Sequence, residues 1–271
     1  MAEARPFRVL TIAGSDSGGG AGIQADLKTF QALGCYGMSV VTALTAQNTV
    51  TVRSIFSITP QFVSEQIEAV LEDIGADAVK IGMIHTAPII DSVVASLKKF
   101  HIDKIVLDPV MVAKGGSLLL ETGAVEVLKR TLLPLASIIT PNLPEAEILT
   151  GASIRTKAEM ERATAALLKL CPCVVLKGGH LAESESSSDL FATNQQRIWI
   201  DYPRIKSRNT HGTGCTFSSA IATFAARGLE WKESVMKARE YLQQAILEGS
   251  EQNIGQGHGP VDHAWCIRRK S

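Results

Sequence analysis

The chain has 271 residues, and its 27 lysines and arginines balance 27 aspartates and glutamates, so the formal net charge is zero. This balance argues against a general binder of nucleic acid or of anionic membranes, since both need an excess of basic residues. Hydrophobic residues make up 45% and charged residues 20%, which is typical of a globular protein and unlike a disordered chain. No apolar stretch reaches the roughly 18 residues that a membrane-spanning helix needs.

The chain has five cysteines, an odd number, and no two of them form a CxxC pair. Because this pattern fits neither a usual zinc site nor a disulfide framework, we expect a reducing, cytoplasmic compartment. The N-terminal segment carries an acid at Glu3 and only a short apolar run, so it lacks the pattern of a signal peptide.

Short apolar runs alternate with amphipathic segments along the chain. In chain order, the pattern first predicts a strand over 8–13, a helix over 22–33, a strand over 38–44, a helix beginning at Pro60, a strand over 78–81, a helix over 88–100 and a strand over 104–107. It then predicts a helix near 121–132, a strand over 137–140, helices near 144–149 and 157–170, a strand over 173–176, a hairpin of 189–193 and 197–202, and helices over 214–227 and 231–248. The segment AESESSS, residues 182–188, is expected to be a solvated loop.

The alternation predicts an α/β fold: a three-layer α/β/α sandwich with a mostly parallel central sheet and a small edge hairpin. No change of composition marks a linker, so we expect a single domain over 1–271. In such a sheet, ligands bind beyond the carboxyl ends of the strands. Four polar segments follow predicted strands and fall at that edge.

The first of these segments is GSDSGGGAG, residues 14–22, between a strand and a helix. Its glycines permit positive φ angles and close backbone approach, and the following helix offers free N–H groups to an anion or a polar ligand. A tight strand-to-helix turn is the alternative interpretation. Neither a GxGxxG frame nor a Walker A frame fits these positions, which argues against a dinucleotide site and a P-loop.

The second segment is NTHGTGCT, residues 209–216, at the start of an apolar helix. The backbone amides from Gly212 to Cys215 would converge at the positive end of the helix dipole, where they would stabilise charge on a transferring phosphoryl group. The same position is expected to lower the pKa of Cys215 and to make it the most reactive cysteine. A capped helix with a small buried cysteine is the alternative.

The third and fourth segments bring charged and amide side chains to strand ends. Asn142 and Glu145, three residues apart at a helix start, suit Mg²⁺ as oxygen ligands, although a capping box explains the same spacing. Asp108 could face a metal or a phosphate, and Lys177 could meet an anionic phosphate across the same cleft. Each charge alone could equally be a solvated strand end.

Seven segments taken together resemble the phosphomethylpyrimidine kinases of thiamine biosynthesis, whose fold is ribokinase-like. The segments are AGSDSGGGAGIQADLKTF (13–30), ALTAQNT (43–49), KIGM (80–83), LDPVMVAKGG (107–116), ITPNLPEAE (139–147), LKGGH (176–180) and NTHGTGCTFSSAIA (209–222). The family implies ATP-dependent phosphorylation of 4-amino-5-hydroxymethyl-2-methylpyrimidine, and then of its monophosphate to the diphosphate, with Mg²⁺. It also implies a homodimer.

The resemblance further implies roles for individual residues. For the pyrimidine pocket it implies Gly14, Asp26, Gln47, Met83 and Val110. For ATP it implies Lys177, Thr210 and His211, and for Mg²⁺ it implies Asn142, Glu145 and Asp108. For catalysis it implies an anion hole of Gly212, Thr213 and Gly214, with Cys215 as the base. Asp26 and Gln47 would bond the ring edge, while Met83 would pack on its face.

Three other activities are weighed against this one. A pyridoxine or pyridoxal kinase of the same superfamily would bind a ring of similar shape with a hydroxymethyl arm. A non-catalytic pyrimidine-binding protein would have no use for the phosphate and metal groups. A hydrolase with Cys215 as nucleophile lacks an evident His–Asp arrangement. The expected partners are therefore a small pyrimidine and ATP, with no nucleic acid and no membrane.

Overall fold

The protein is represented by a computed structural model that describes residues 5–112, 119–121, 123–179, 181 and 185–268. Within these residues the strands are β1 (Arg8–Asp16), β2 (Tyr36–Gln47), β3 (Val52–Ser57), β4 (Ala78–Ile81), β5 (Ile105–Leu107), β6 (Ile138–Ile139), β7 (Cys173–Leu176), β8 (Ser186–Thr193) and β9 (Arg197–Pro203). They form one sheet in the order β3-β2-β1-β4-β5-β6-β7-β8-β9. The strands from β2 to β7 in this order are parallel, and β3, β8 and β9 pair antiparallel at the two edges.

Helices cover both faces of the sheet. The described helices are α1 (Gly22–Ala32), α2 (Pro60–Asp73), α3 (Ala87–Lys99), α4 (Ala124–Val127), α5 (Leu143–Thr150), α6 (Lys157–Leu167), α7 (Thr213–Ala226), α8 (Trp231–Gly249) and α9 (Trp265–Arg268). Because side chains alternate along a strand, one set of strand residues packs with α2 to α6 and the other with α1, α7 and α8. The predicted three-layer sandwich is confirmed. None of these helices is both long and apolar enough to cross a bilayer.

The sequence pattern predicts no strand over Val52–Ser57, but the structure has β3 there, antiparallel to β2. Its side chains are half-buried or exposed with no regular apolar alternation, because an edge strand packs little of its surface. The turn before it is an Asx turn, in which Oδ1 of Asn48 accepts hydrogen bonds from the N–H groups of Val50 and Thr51, at 2.9 and 3.0 Å. This turn is the signal that could have revealed the hairpin.

Two other elements differ from the prediction. The helix predicted near 121–132 is α-helical only over Ala124–Val127, and it continues as a π-helix over Leu128–Leu132 and a 3-10 turn over Leu133–Leu135. Pro134 lacks a backbone N–H, so a regular α-helix cannot continue through it. The predicted loop 182–188 is wrong at its end, since Ser186–Thr193 is β8 and Ser188 is buried.

The remaining predicted elements are confirmed, with ends that move by a few residues. The edge hairpin is present as β8 and β9, with Asn194 in the turn. Residues 113–116 of the segment LDPVMVAKGG, residues 182–184 and His180 lie outside the described part of the chain.

Candidate active site

Two adjoining cavities lie at the carboxyl ends of the parallel strands. The first cavity, of about 250 Å³, is bordered by the glycine segment (residues 14–22), the end of β2 and the residues after β4 and β5. The second cavity, of about 480 Å³, lies between the β8–β9 hairpin, α7, α8 and the loop before α7. The residues in the walls of both cavities define the junction: Asn142, Lys177, Thr210, Thr213 and Gly214.

Four of the five residues expected in the pyrimidine pocket line the first cavity: Gly14, Gln47, Met83 and Val110. Gly14 lies where the pairing of β1 with β2 shifts register. A Cβ at this position would be 2.9 Å from Sδ of Met83. The missing side chain at Gly14 therefore makes room for the Met83 thioether in the cavity wall.

The carboxylate of Asp16 shapes the glycine segment. It accepts hydrogen bonds from the N–H groups of Gly18 (2.8 Å), Gly20 (3.0 Å) and Ala21 (2.8 Å) and contacts Nε2 of His211 at 2.9 Å. Burial by itself would raise the pKa of Asp16, but His211 and the backbone amides lower it below its usual value. The sequence analysis missed this residue, although an aspartate just before a glycine run is a typical turn former.

Asp26 does not border the cavity, and its expected contact with a substrate ring is wrong. Its side chain is fully buried between α1, β4 and α7. Lys80 Nζ lies 2.9 Å from each carboxylate oxygen, and the hydroxyls of Thr11 and Ser219 donate to the carboxylate at 2.7 and 2.6 Å. The lone pairs that would bond a ligand are therefore used inside the protein.

Lys80 is a second residue that the sequence analysis overlooked. It lies in the buried strand β4 and lines the first cavity from below. Burial alone would lower the pKa of Lys80, but the charges of Asp26 and Asp108 and the hydrogen bond to Asp26 raise it well above its usual value, so the side chain stays an ammonium group. The available signal was a lysine inside the run AVKI, since a charge in a buried strand needs a partner.

The start of α7 is pressed against the glycine segment. Gly212 precedes the helix with a φ of +78°, a left-handed conformation that favours glycine. A Cβ at Gly212 would lie 1.8 Å from the carbonyl oxygen of Gly20. These two loops can pack this closely because Gly212 has no side chain.

The first turn of α7 lies beside the charges of Asp108 and Lys177. A Cβ at Gly214 would lie 3.3 Å from Oδ2 of Asp108 and 3.3 Å from Nζ of Lys177. Within the described part of the chain, the N–H groups of Gly214 and Cys215 donate to no protein acceptor. They are the unsatisfied groups of a helix start and remain available to an anion at the junction.

Lys177 and Asp108 form an ion pair at the junction. Nζ of Lys177 lies 2.8 Å from Oδ1 of Asp108, and the hydroxyl of Thr140 donates to the same oxygen at 3.0 Å. Burial alone would lower the pKa of Lys177, but Asp108 and Glu145 raise it. The lysine is therefore a cation shared between two carboxylates.

Asn142 and Glu145 form the capping box that the sequence left open. The N–H of Glu145 donates to Oδ1 of Asn142 at 2.9 Å, and the N–H of Asn142 donates to Oε2 of Glu145 at 2.8 Å. Both residues also line the first cavity. Burial raises the pKa of Glu145 from 4.5 to about 7; Asp108 adds to the rise, while Lys177 and the N–H groups of Asn142 and Met111 oppose it.

We expect Glu145→Gln to stabilise the ligand-free protein at alkaline pH. An acid whose pKa is raised from 4.5 to about 7 on folding holds its proton more tightly in the folded state, so its stabilising contribution is lost as the pH rises through that window. Glutamine removes the charge and keeps an acceptor for the cap. The gain should be about 1–3 kcal/mol at pH 8 and should vanish near pH 4.5. Urea unfolding at both pH values measures it, and an equal gain at both would contradict the assignment.

The environment of Cys215 differs from the expectation. Burial raises the pKa of its thiol from 9.0 to about 11; the carboxylates of Asp26 and Asp108 act in the same direction, and Lys80 and the N–H of Gly22 only partly oppose them. The helix start was expected to lower this pKa, and that prediction is wrong mainly because burial disfavours the thiolate, with the carboxylates adding to the rise. In the ligand-free protein the thiol is therefore protonated at neutral pH.

We accordingly expect Cys215 to resist alkylation at pH 7. A thiol with a pKa of about 11 has roughly a hundredth of the thiolate of one at 9.0. The other partly exposed cysteine, Cys266, should react first. Brief iodoacetamide treatment at pH 7 and at pH 10, followed by peptide mass spectrometry, measures the order. Modification of Cys215 before Cys266 at pH 7 would restore the original expectation of a reactive thiolate.

His211 also differs from its expected position. Lys177 and Thr210, two of the three residues expected at ATP, reach both cavities. His211 borders the first cavity instead, where its ring contacts Asp16 and lies 3.3 Å from Nε2 of Gln47. His211 therefore borders the first cavity and not the second.

A parallel α/β/α sandwich with a helix start, a lysine and two carboxylates between adjoining cavities defines a small-molecule phosphotransferase. The chain belongs to the phosphomethylpyrimidine kinase family, whose sequence model matches residues 16–262. The resemblance drawn from the seven segments is confirmed.

Relatives agree with this assignment. The chain is 52% identical over 256 residues to a thiamine biosynthesis bifunctional protein of Geobacter sulfurreducens; the match covers 94% of this chain and 52% of that protein, so the chain spans about half its length. It is 47% identical over 263 residues to a hydroxymethylpyrimidine/phosphomethylpyrimidine kinase of Salmonella typhimurium, with 96% and 98% covered. A solved pyridoxal kinase of Staphylococcus aureus, in complex with AMP-PCP and pyridoxal, matches with a TM-score of 0.88 and 34% identity, covering 96% of this chain and 94% of that one.

Proposed function

We propose that this chain transfers the γ-phosphoryl group of ATP to the hydroxymethyl oxygen of 4-amino-5-hydroxymethyl-2-methylpyrimidine, and then to the phosphate of that product. The observation that carries the proposal is the meeting of two cavities at Gly214 and Lys177. A phosphoryl group passing from one cavity to the other would meet the free amides of α7 and the lysine ammonium. Such preorganised donors stabilise the charge of phosphoryl transfer.

The first cavity takes the pyrimidine. Met83 and Val110 supply apolar walls for the ring faces. The amide of Gln47 offers one donor and one acceptor, which match a ring nitrogen beside an exocyclic amino group. The hydroxymethyl arm then points toward Cys215 and the start of α7.

The second cavity takes ATP. Phe217, Leu242 and Ile246 supply apolar contacts, and Thr210 and Thr213 supply hydroxyls near the junction. The ATP analogue AMP-PCP bound to the pyridoxal kinase of Staphylococcus aureus supports ATP as the co-substrate. The phosphates would face Lys177, whose charge is drawn toward the junction by Asp108.

Cys215 orients the substrate hydroxyl in this scheme. Its thiol, with a pKa of about 11, is protonated at neutral pH and does not accept the substrate proton, but it can hydrogen-bond the attacking oxygen. A loose phosphoryl-transfer transition state places little charge on that oxygen before the bond to phosphorus forms, so a strong base is not required. Positioning and the anion hole then provide most of the rate enhancement.

Mg²⁺ is expected in this family, and the residues at the junction fit it. Within the described residues, no three His, Cys, Asp or Glu side chains form a complete metal site. Mg²⁺, however, commonly uses one or two carboxylates and completes its shell with water and substrate phosphates. Burial, together with the charge of Asp108, raises the pKa of Glu145 to about 7. An added cation would stabilise the ionised form of this carboxylate. We assign Glu145 to hold the ion, next to Asn142 and Asp108; the bound ion would neutralise phosphate charge.

Pyridoxal phosphorylation is the second candidate, because the matching Staphylococcus aureus structure is a pyridoxal kinase with pyridoxal bound. A coupled ADP-release assay compares hydroxymethylpyrimidine, its monophosphate, pyridoxine and pyridoxal. We expect kcat/KM to favour hydroxymethylpyrimidine over pyridoxine by at least about tenfold, since pyridoxine leaves the Gln47 amide half-paired. Gln47→Leu should reduce this preference by harming the pyrimidine more. Equal kcat/KM values in the wild type would move the assignment to a vitamin B6 kinase.

Three further expectations belong to the proposal. The chain acts as a single domain in a homodimer. The exposed apolar side chains Leu44, Phe56 and Phe62 in and near β3 support this, since a second subunit would cover them. The compartment is the cytoplasm, since all five cysteines are free thiols. Light scattering of the purified protein measures the oligomeric state.

A further inference from the structure

Asp16 determines which nitrogen of His211 carries a proton. Its carboxylate already accepts the N–H groups of Gly18, Gly20 and Ala21, and Nε2 of His211 lies 2.9 Å from Oδ2. The pKa of Asp16 is lowered, so the group is an ionised carboxylate and can only accept hydrogen bonds. Nε2 of His211 is therefore the donor in this contact and carries a hydrogen.

This proton creates a mismatch with Gln47. Nε2 of Gln47 lies 3.3 Å from Nε2 of His211, so two N–H groups face each other. On its other side, Oε1 of Gln47 lies 3.3 Å from the hydroxyl oxygen of Thr45. The single proton of Thr45 is donated to the carbonyl oxygen of Ser15 at 2.8 Å, so two acceptors face each other there.

A half-turn of the amide about its last side-chain bond removes both mismatches at once. Oε1 of Gln47 then faces the Nε2–H group of His211, whose single hydrogen is donated to Asp16, so two donors no longer oppose each other. On the other side, Nε2 of Gln47 donates to the hydroxyl oxygen of Thr45. The main chain needs no change, because the Ser17 hydroxyl donates to the Gln47 carbonyl and accepts from its N–H, both at 2.8 Å. The neighbours of Gln47 therefore specify one orientation of its amide.

We propose that Asp16, His211 and Thr45 are positioning residues that lock the Gln47 amide in this orientation and thereby select an aminopyrimidine edge. The inference rests on the proposed function, in which Gln47 contacts the ring. One N–H of Gln47 and one lone pair of Oε1 remain for a ligand, with the donor on the Thr45 side and the acceptor on the His211 side. This arrangement fits a ring-nitrogen acceptor beside an amino donor.

The 4-oxo analogue, 5-hydroxymethyl-2-methylpyrimidin-4-one, is the discriminating probe. It presents a ring N–H donor beside a carbonyl acceptor, the reverse of the amino compound. Binding it would require the opposite amide orientation, which brings back both mismatches of Gln47 with its neighbours. A locked amide should therefore reject the oxo compound, whereas a released amide can turn to accept it.

Thr45→Val and Thr45→Ser form a matched pair for the test. Valine keeps the shape and removes the acceptor for the Gln47 amide, while serine keeps the hydroxyl. Isothermal titration calorimetry with the amino and the oxo compound measures the ratio of their dissociation constants without requiring turnover. We expect the wild type and Thr45→Ser to prefer the amino compound by about thirtyfold or more, and Thr45→Val to reduce this ratio by at least about fivefold.

A purely structural role for Thr45 would weaken both ligands alike and leave the ratio unchanged, which would overturn the inference. His211→Leu provides a second variant, because it removes the donor on the other side of the amide and should also lower the ratio. If the wild type binds the amino compound selectively but releases no ADP with it, the proposed kinase function fails while the locking of Gln47 stands. If the wild type binds both compounds equally, the locking itself is refuted.

Discussion

Gly214→Ala is expected to lower kcat by about 10² to 10³ while leaving the free energy of unfolding nearly unchanged. The added methyl group would lie 3.3 Å from both Oδ2 of Asp108 and Nζ of Lys177, in the passage between the two cavities. It would occupy space that the transferring phosphoryl group needs and would displace that group from the amides of α7. The fold should tolerate it, because Gly214 is in the first turn of a helix and alanine favours helices.

Steady-state kinetics and urea unfolding of the same preparation measure the two effects separately. Gly123→Ala is the matched control, since Gly123 has a φ of −69° and a Cβ there meets no atom of the described residues within 4 Å. That variant should keep wild-type kcat. A Gly214→Ala variant with kcat within threefold of the wild type would show that phosphoryl transfer does not pass through this junction.

Lys80→Met is expected to destabilise the protein by about 3–5 kcal/mol, the largest stability effect we anticipate. Lys80 and Asp26 are both fully buried, and the ammonium lies 2.9 Å from each carboxylate oxygen. Removing the lysine leaves the Asp26 carboxylate buried with only the hydroxyls of Thr11 and Ser219 as donors among the contacts described. An unpaired buried charge lowers the free energy of unfolding by far more than the intact ion pair raises it.

The double variant Lys80→Met with Asp26→Asn tests the cause. Asparagine removes the negative charge; its Oδ1 can accept from one of the two hydroxyls and its amide NH2 can donate to the other. At least about 2 kcal/mol of the loss should therefore be recovered. Urea unfolding of the wild type, both single variants and the double variant completes the cycle. Additive losses would show that Lys80 acts through packing alone and that its charge is unimportant.

Much of the fold could be predicted because short apolar runs alternate with amphipathic segments along the sequence. The runs over 78–81 and 173–176 are short and apolar, and both strands have the predicted ends in the structure. The edge strand β3 could not be predicted in the same way, since few of its side chains are buried. Ser186–Ser188 were assigned to a loop on composition, but pairing with β9 makes them a strand. At a sheet edge, backbone pairing decides the structure and the side-chain pattern carries less information.

The residues of the site also differ in how well the sequence predicted their positions. The sequence singled out Gly212, Gly214, Asp108, Glu145 and Lys177 from their types and their places after strands, and all five line the first cavity. The error on Asp26 has a different origin. The family resemblance implied that it contacts the ring, but its side chain lies on the face of α1 that packs against Lys80.

The amino-acid sequence alone determined the α/β class, the family and the segments that form the site, because periodic burial and glycine placement are local properties of the chain. Only the tertiary structure decided which charges are partners and which are available to a ligand. Lys80 lies 54 positions from Asp26, and His211 lies 195 from Asp16, so their pairing depends on strand order and helix packing. The pKa of Cys215 follows the same rule: a helix start lowers it locally, but the burial and the carboxylates that raise it to about 11 come from distant parts of the chain.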